Sequence, residues 1–184
     1  MDFIPDQPKA IEDVPYYDDA TSESGWQGQS TTKSIETLKS EVVMSISLLG
    51  GMVTGFQRGK FIIGDKEREG FRLHYVIEAA DGHMAPGRMD IAGLPVKNDF
   101  SLRKSYDTRR EKSLKMALYM LRIALDGARF LQILSPGYAA LMPWMLGRGE
   151  KTITQLWTES TIMQNLLPPA DSDFVEGEYK TAQD

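Results

Sequence analysis

Cysteine is absent from this chain. That excludes a disulfide framework, a thiolate metal site and a thiol nucleophile together, and it suits a reducing compartment. Histidine is almost as scarce. His74 and His83 are the only two, and they fall on an expected strand and an expected loop. That placement offers neither a helical metal-binding pair nor a catalytic triad. No stretch of about eighteen uncharged apolar residues occurs, because Arg122, Asp126 and Arg129 interrupt the only candidate. The opening MDFIPDQPKAIEDVP lacks the basic start and apolar run of a secretory signal. The expectation is a soluble cytoplasmic protein with no membrane partner and no cofactor.

What is present is charge, unevenly placed. The net charge is −5 over 184 residues, but residues 1–30 hold seven acids to one base and residues 170–184 hold five acids to one base. The middle is left with nineteen bases against fourteen acids. A basic body between two acidic tails points to a polyanionic partner, or to protein contacts made by the tails. The composition of both tails predicts disorder, with one domain over 31–169. Phe3, Ile4, Val14, Tyr16, Tyr17 and Trp26 are unusual in such an arm. They fit either a short motif for a basic, apolar groove or docking onto the chain's own body.

Apolar periodicity sets out the elements. Ile35, Leu38, Val42, Ile46 and Leu49 predict a first helix over 34–49, closed by Gly50-Gly51. An extended segment over 52–63 carries Gly51, Gly55 and Gly59 along what would be one smooth face. GDKEREG (64–70) reads as a charged turn. Phe71, Leu73, Tyr75 and Ile77 alternate with Arg72, His74 and Glu78, the clearest strand in the chain. Asp81-Gly82 and Pro86-Gly87 bracket a loop, and 88–96 returns as a third strand. The longest element is DTRREKSLKMALYMLRIALDGARFLQIL (107–134), with Thr108 and Glu111 as its capping box. It is apolar nearly all round, the mark of a helix covered on several sides. Lys115, Tyr119, Arg122, Asp126 and Arg129 form its one polar strip, which reads as structural ion pairing. Ser135-Pro136-Gly137 stops it. A short apolar segment, YAALMPWML (138–146), follows. Thr152 and Gln155 then cap a helix expected to reach Leu167. The fold class is α+β: helix, three-stranded antiparallel meander, long buried helix and C-terminal helical additions.

This order resembles that of double-stranded RNA-binding domains, and strand-annealing proteins also lay a long helix across a β-meander. The resemblance covers residues 32–134 at most. Arg109, Arg110, Lys112 and Lys115 stand where the first family places a basic cluster at the start of its second helix. The chain departs from that family at GDKEREG, which has neither the Pro nor the His of its groove loop, so no membership follows.

The candidate binding residues are Lys97, Arg103, Lys104, Arg109, Arg110, Lys112 and Lys115 around a helix start, where free amides favour phosphate. Phe100 and Tyr106 lie among them as stacking platforms for unpaired bases, and Arg58, Lys60 and Arg72 extend the surface onto the meander. The plain alternative is a solvated helix start. GGMVTGFQRGK (50–60) lacks the Gly-Lys-Ser/Thr ending of a phosphate loop and precedes a strand. The leading expectation is therefore a non-enzymatic protein binding DNA or RNA, with acidic tails that compete for that surface or recruit a protein. The alternative is an assembly subunit, a homo-oligomer or adaptor using the apolar 138–167 region. A metal-dependent nuclease built on Glu78, Asp81, Asp90 and Lys97 comes third.

Overall fold

The computed structural model describes residues 14–63, 66–79, 82–99, 101–102, 104–135 and 137–159. The tail at 170–184, residues 1–13, Asp81, Phe100 and Arg103 lie outside the described residues. The layout is the expected α+β one. Helix α1 (Ile35–Leu48) is followed by an antiparallel meander of β1 (Gly51–Ile63), β2 (Lys66–Glu78) and β3 (Met84–Ala92), then by helix α2 (Tyr106–Leu134). A 3₁₀ turn at Met142–Trp144 and a short helix α3 (Ile153–Glu159) complete it.

Both long helices lie on one face of the sheet. Phe71, Leu73 and Tyr75 of β2 supply the buried floor, as their alternation dictates. Leu38 clusters with Leu114 and Leu118, whereas Val42 and Ile46 cluster with Leu125, so α1 and α2 run in the same direction. Each such Leu contributes about 2 kcal/mol by leaving water. The polar strip of α2 meets α1: Ser45 Oγ donates to Asp126 at 2.7 Å, and Arg122 reaches Glu41 at 3.4 Å.

Several boundaries move, each for a local reason. Ser105, not Thr108, caps α2; its Oγ accepts from the Thr108 amide at 3.3 Å, which adds a turn to the helix. Glu111 is then free to pair with Lys115 at 3.1 Å. GDKEREG is mostly strand, because β2 begins at Lys66. Arg58 and Lys60 on β1 meet Glu69 and Glu67 across the ladder, which makes a charged stretch favourable in a sheet. The third strand starts at Met84 and includes Pro86. Pro86 presents its carbonyl outward to the Leu146 amide, so its ring nitrogen also faces away from β2 and costs no ladder bond. The glycine strip is split by a register shift between Val53 and Gly55. Gly51 turns toward α1, where a Cβ would lie 2.7 Å from Ile46, while Gly59 has open space.

The largest departure is the N-terminal arm. Disorder is not what residues 14–30 adopt: they lie on the body and cover a third side of α2. Tyr17 and Ala20 are buried with Leu94 and Met116, and the Tyr17 amide donates to Pro95 at 2.8 Å. Trp26 and Met120 pack against that cluster. Docking onto the chain's own body is one of the two readings the arm's aromatics allowed, and Tyr17 and Trp26 of the described residues follow it. The 138–146 segment is likewise part of the core at its centre. Ala140 and Leu141 are buried, and the Leu141 carbonyl accepts from the Tyr75 hydroxyl at 2.9 Å. Thr152 and Gln155 make the reciprocal capping box, at 2.9 and 3.2 Å. The expected continuation to Leu167 lies outside the described residues.

Burial raises the Tyr75 phenol well above its ordinary value of 10.0. The folded protein therefore keeps Tyr75 neutral where the unfolded chain ionises it. Its stabilisation is fully present below pH 10 and is lost as pH climbs past that value. Urea unfolding at pH 8 and pH 11 should show a larger loss in the wild type than in Tyr75→Phe. Equal losses would refute this assignment.

Candidate nucleic-acid interface

The described residues singled out for phosphate binding gather at the start of α2 and the adjoining end of the sheet, except Arg72, which lies on the opposite face, and most of them meet a carboxylate of the same chain. Arg58 lies 2.7 Å from Glu69, and Arg110 reaches the same Glu69 at 3.2 Å. Lys60 pairs with Glu67 at 2.7 Å, which holds the ammonium pKa above its usual value. Arg72 grips Asp90 through two bonds of 2.7 and 2.9 Å, and that hydrogen bonding raises the guanidinium pKa. Lys97 meets Asp19 at 2.5 Å and lies over the Tyr16 ring. Lys115 is taken by Glu111.

Arg109 departs furthest from the expected solvent-facing role. It is 4% exposed. Its Nη1 donates to both oxygens of Asp18 at 3.0 Å and to the Lys97 carbonyl, while Nε and Nη2 take the carbonyls of Lys104 and Asp99. The Asp18 carboxylate also accepts from the Lys97 amide at 3.0 Å. Arg109 is therefore a clasp that ties the arm, the 97–104 connection and α2 together. Sequence reasoning counted Asp18 and Asp19 only as tail acidity. The available signal was their position next to Tyr16-Tyr17, which carries the pair into reach once the tyrosines seek apolar cover.

Two cations escape this pairing. Lys104 and Lys112 have no carboxylate within 4.0 Å among the described residues, and the nearby Lys104 lowers the Lys112 pKa. They share an open groove of about 520 Å³ with Gln29, Ser30 and Leu102. Tyr106, one of the two stacking candidates, is 43% exposed. The other, Phe100, lies with Arg103 outside the described residues.

The face of the sheet away from the two long helices carries Arg72, His74 and Arg88, the last half-covered by the 150–155 segment. Arg88 turns toward Asp90 at 3.3 Å and toward the Glu150 carbonyl at 2.9 Å. Of the nuclease candidates, Asp90 is thus committed to Arg72 and Arg88, and Lys97 to Asp19. No group of three potential metal ligands occurs among the described residues.

The other large surface feature is apolar. At the far end of the molecule the last turns of α2 expose Phe130, Leu131, Ile133 and Leu134, and α1 exposes Met44 and Leu48. Helical spacing puts the four α2 residues on a single arc of roughly 160°. Gln132 turns the other way, into an apolar groove of about 320 Å³ beside Leu49, Ile77 and Met142. No helix is long and apolar enough to cross a membrane among the described residues. No family model, curated protein or solved structure matches this chain.

The Asp18–Arg109 clasp makes a stability prediction. Asp18→Ala leaves a guanidinium buried without its counter-charge, a change that costs about 3 kcal/mol. The urea midpoint should fall accordingly with an unchanged slope. The double variant Asp18→Leu/Arg109→Met should lose less than Asp18→Ala, because no unpaired charge remains. A midpoint unmoved by Asp18→Ala would contradict this reading.

Proposed function

We propose that this chain is an assembly module that pairs with a second copy of itself through the apolar end formed by α1 and α2. The observation that carries the proposal is the set of eight large apolar side chains exposed on α1, α2 and the residues that follow each: Met44, Leu48, Met52, Phe130, Leu131, Ile133, Leu134 and Tyr138. Their exposures run from 42 to 77%. At roughly 200 Å² for a large side chain they present on the order of 1,000 Å². A standard interface takes about 800 Å² from each partner, and monomers rarely leave so large a patch bare. An apolar surface without a charge pattern is self-complementary, which is what a two-fold interface requires. This reading shifts the expected interface away from the middle of 138–146, whose central residues are core, to the helix ends.

Light scattering at tens of micromolar should give a dimer. Ile133→Glu/Leu134→Glu should give a folded monomer whose melting temperature no longer rises with protein concentration, since both side chains are exposed within a single chain. A wild type that is monomeric at that concentration would sink the proposal.

The nucleic-acid reading keeps a narrower support, the Lys104–Lys112 pair, which has no carboxylate within 4.0 Å among the described residues. On that reading, oligonucleotide binding weakens with salt, and Lys104→Gln/Lys112→Gln lowers the salt slope by about two. Arg109 takes no part in it, being a structural clasp. Gel-shift titrations with single-stranded DNA, duplex DNA and RNA at several salt concentrations measure this; an unchanged slope in the double variant would remove the reading.

A further inference from the structure

A third cavity lies along the flank of α2 that the arm covers. It is an apolar slot of about 260 Å³ between the arm, β3 and α2. Val14 and Trp26 come from the arm, Ile91 from β3, Leu94 from the segment after it, and Met116 and Met120 from α2. One charged residue contributes to this lining, Arg68, which also borders the neighbouring cavity of Lys60, Glu67 and Glu69. Its Nε donates to the Gly93 carbonyl at 2.9 Å and its Nη2 to the Ala92 carbonyl at 3.5 Å.

Arg68 is unusual among the arginines of this chain. Arg58, Arg72, Arg88, Arg109, Arg110 and Arg122 each have a carboxylate within 4.0 Å. Arg68 has none among the described residues, and neither does Arg129, which lies over the Phe130 ring instead. Burial lowers the Arg68 pKa from its ordinary value, so the group is partly withdrawn from water with only neutral carbonyls as partners. Those carbonyls use part of a guanidinium that has five N–H donors and suits a carboxylate in two-pronged geometry. A concave apolar lining with one orienting polar group is the usual form of a small-molecule site.

We propose that this slot binds a small linear carboxylate, with its alkyl body among Trp26, Leu94, Met116 and Met120 and its head group on Arg68. A water-sized group occupies about 30 Å³, so the slot holds roughly nine such groups, and octanoate is a ligand of the right length. Charge complementarity selects the acid over an alcohol or an ammonium of the same length. The proposal is independent of the dimer and of the nucleic-acid reading, because it uses none of their residues.

Trp26 reports occupancy directly. Octanoate titrated into the full chain, below its micelle concentration, should change the tryptophan fluorescence saturably, and Trp26→Phe should abolish the change. Octanol and octyltrimethylammonium should bind the wild type at least about tenfold more weakly, the loss expected when one charge-assisted contact worth about 1.4 kcal/mol goes unmade. Arg68→Gln should weaken octanoate to the level of octanol. Equal binding of octanoate and octanol to the wild type, a change that survives in Trp26→Phe, or no saturable change with octanoate would each overturn the proposal. The ligand comparison on the wild type decides the matter even if Arg68→Gln folds poorly.

Discussion

The structure depends on covering one helix. α2 is apolar around most of its circumference, and no single neighbour can hide such a surface. The sheet takes the side of Leu114 and Leu118, and α1 takes an adjoining one through Leu38, Val42 and Ile46. The flank of Met116 and Met120 remains, and the N-terminal arm closes it with Tyr17, Ala20 and Trp26. Burial of that flank is the favourable term that draws an acidic, Pro-containing segment out of solvent against its conformational entropy.

Electrostatics follows from that packing. Once Tyr17 is seated, its neighbours Asp18 and Asp19 can only fall beside the start of α2, where Arg109 and Lys97 await a counter-charge. Bases at a helix N-terminus are unfavourable with the helix dipole, and here the compensating anions come largely from the same chain. The ladder between β1 and β2 does the same for Arg58 and Lys60. The positive body between acidic tails is thus substantially neutralised by internal pairing, with Lys104 and Lys112 as the described lysines of the candidate surface that have no carboxylate partner. The surfaces left with unmet chemistry are the apolar helix ends and the slot under Arg68.

The fold was legible because its signals are local. Period-3.6 apolar spacing at Leu38, Val42 and Ile46, and again at Leu114, Leu118 and Leu125, needs no knowledge of partners. The same is true of the alternation through Phe71, Leu73 and Tyr75. The Thr152–Gln155 capping box was readable for the same reason. The misplaced boundaries came from competition between local options. Ser105 and Thr108 are both fair caps, and GDKEREG is a turn by composition but a strand once Arg58 and Lys60 lie opposite it. The candidate site was legible only as a list of bases. For Lys97 and Arg109, whether they face water depends on Asp19 and Asp18, 78 and 91 positions away in sequence.

By itself the sequence determined the order of elements, the buried face of each, the absence of thiol chemistry and the presence of a helix that must be enclosed. These follow from side-chain periodicity and composition, which act over a few residues. Only the tertiary structure decided that the arm is the third wall of the core, that Arg109 is a buried clasp, and that Arg68 opens onto an apolar slot without a carboxylate. Charge pairing and cavity formation depend on distance in space, and periodicity says nothing about which distant acid will lie beside which base.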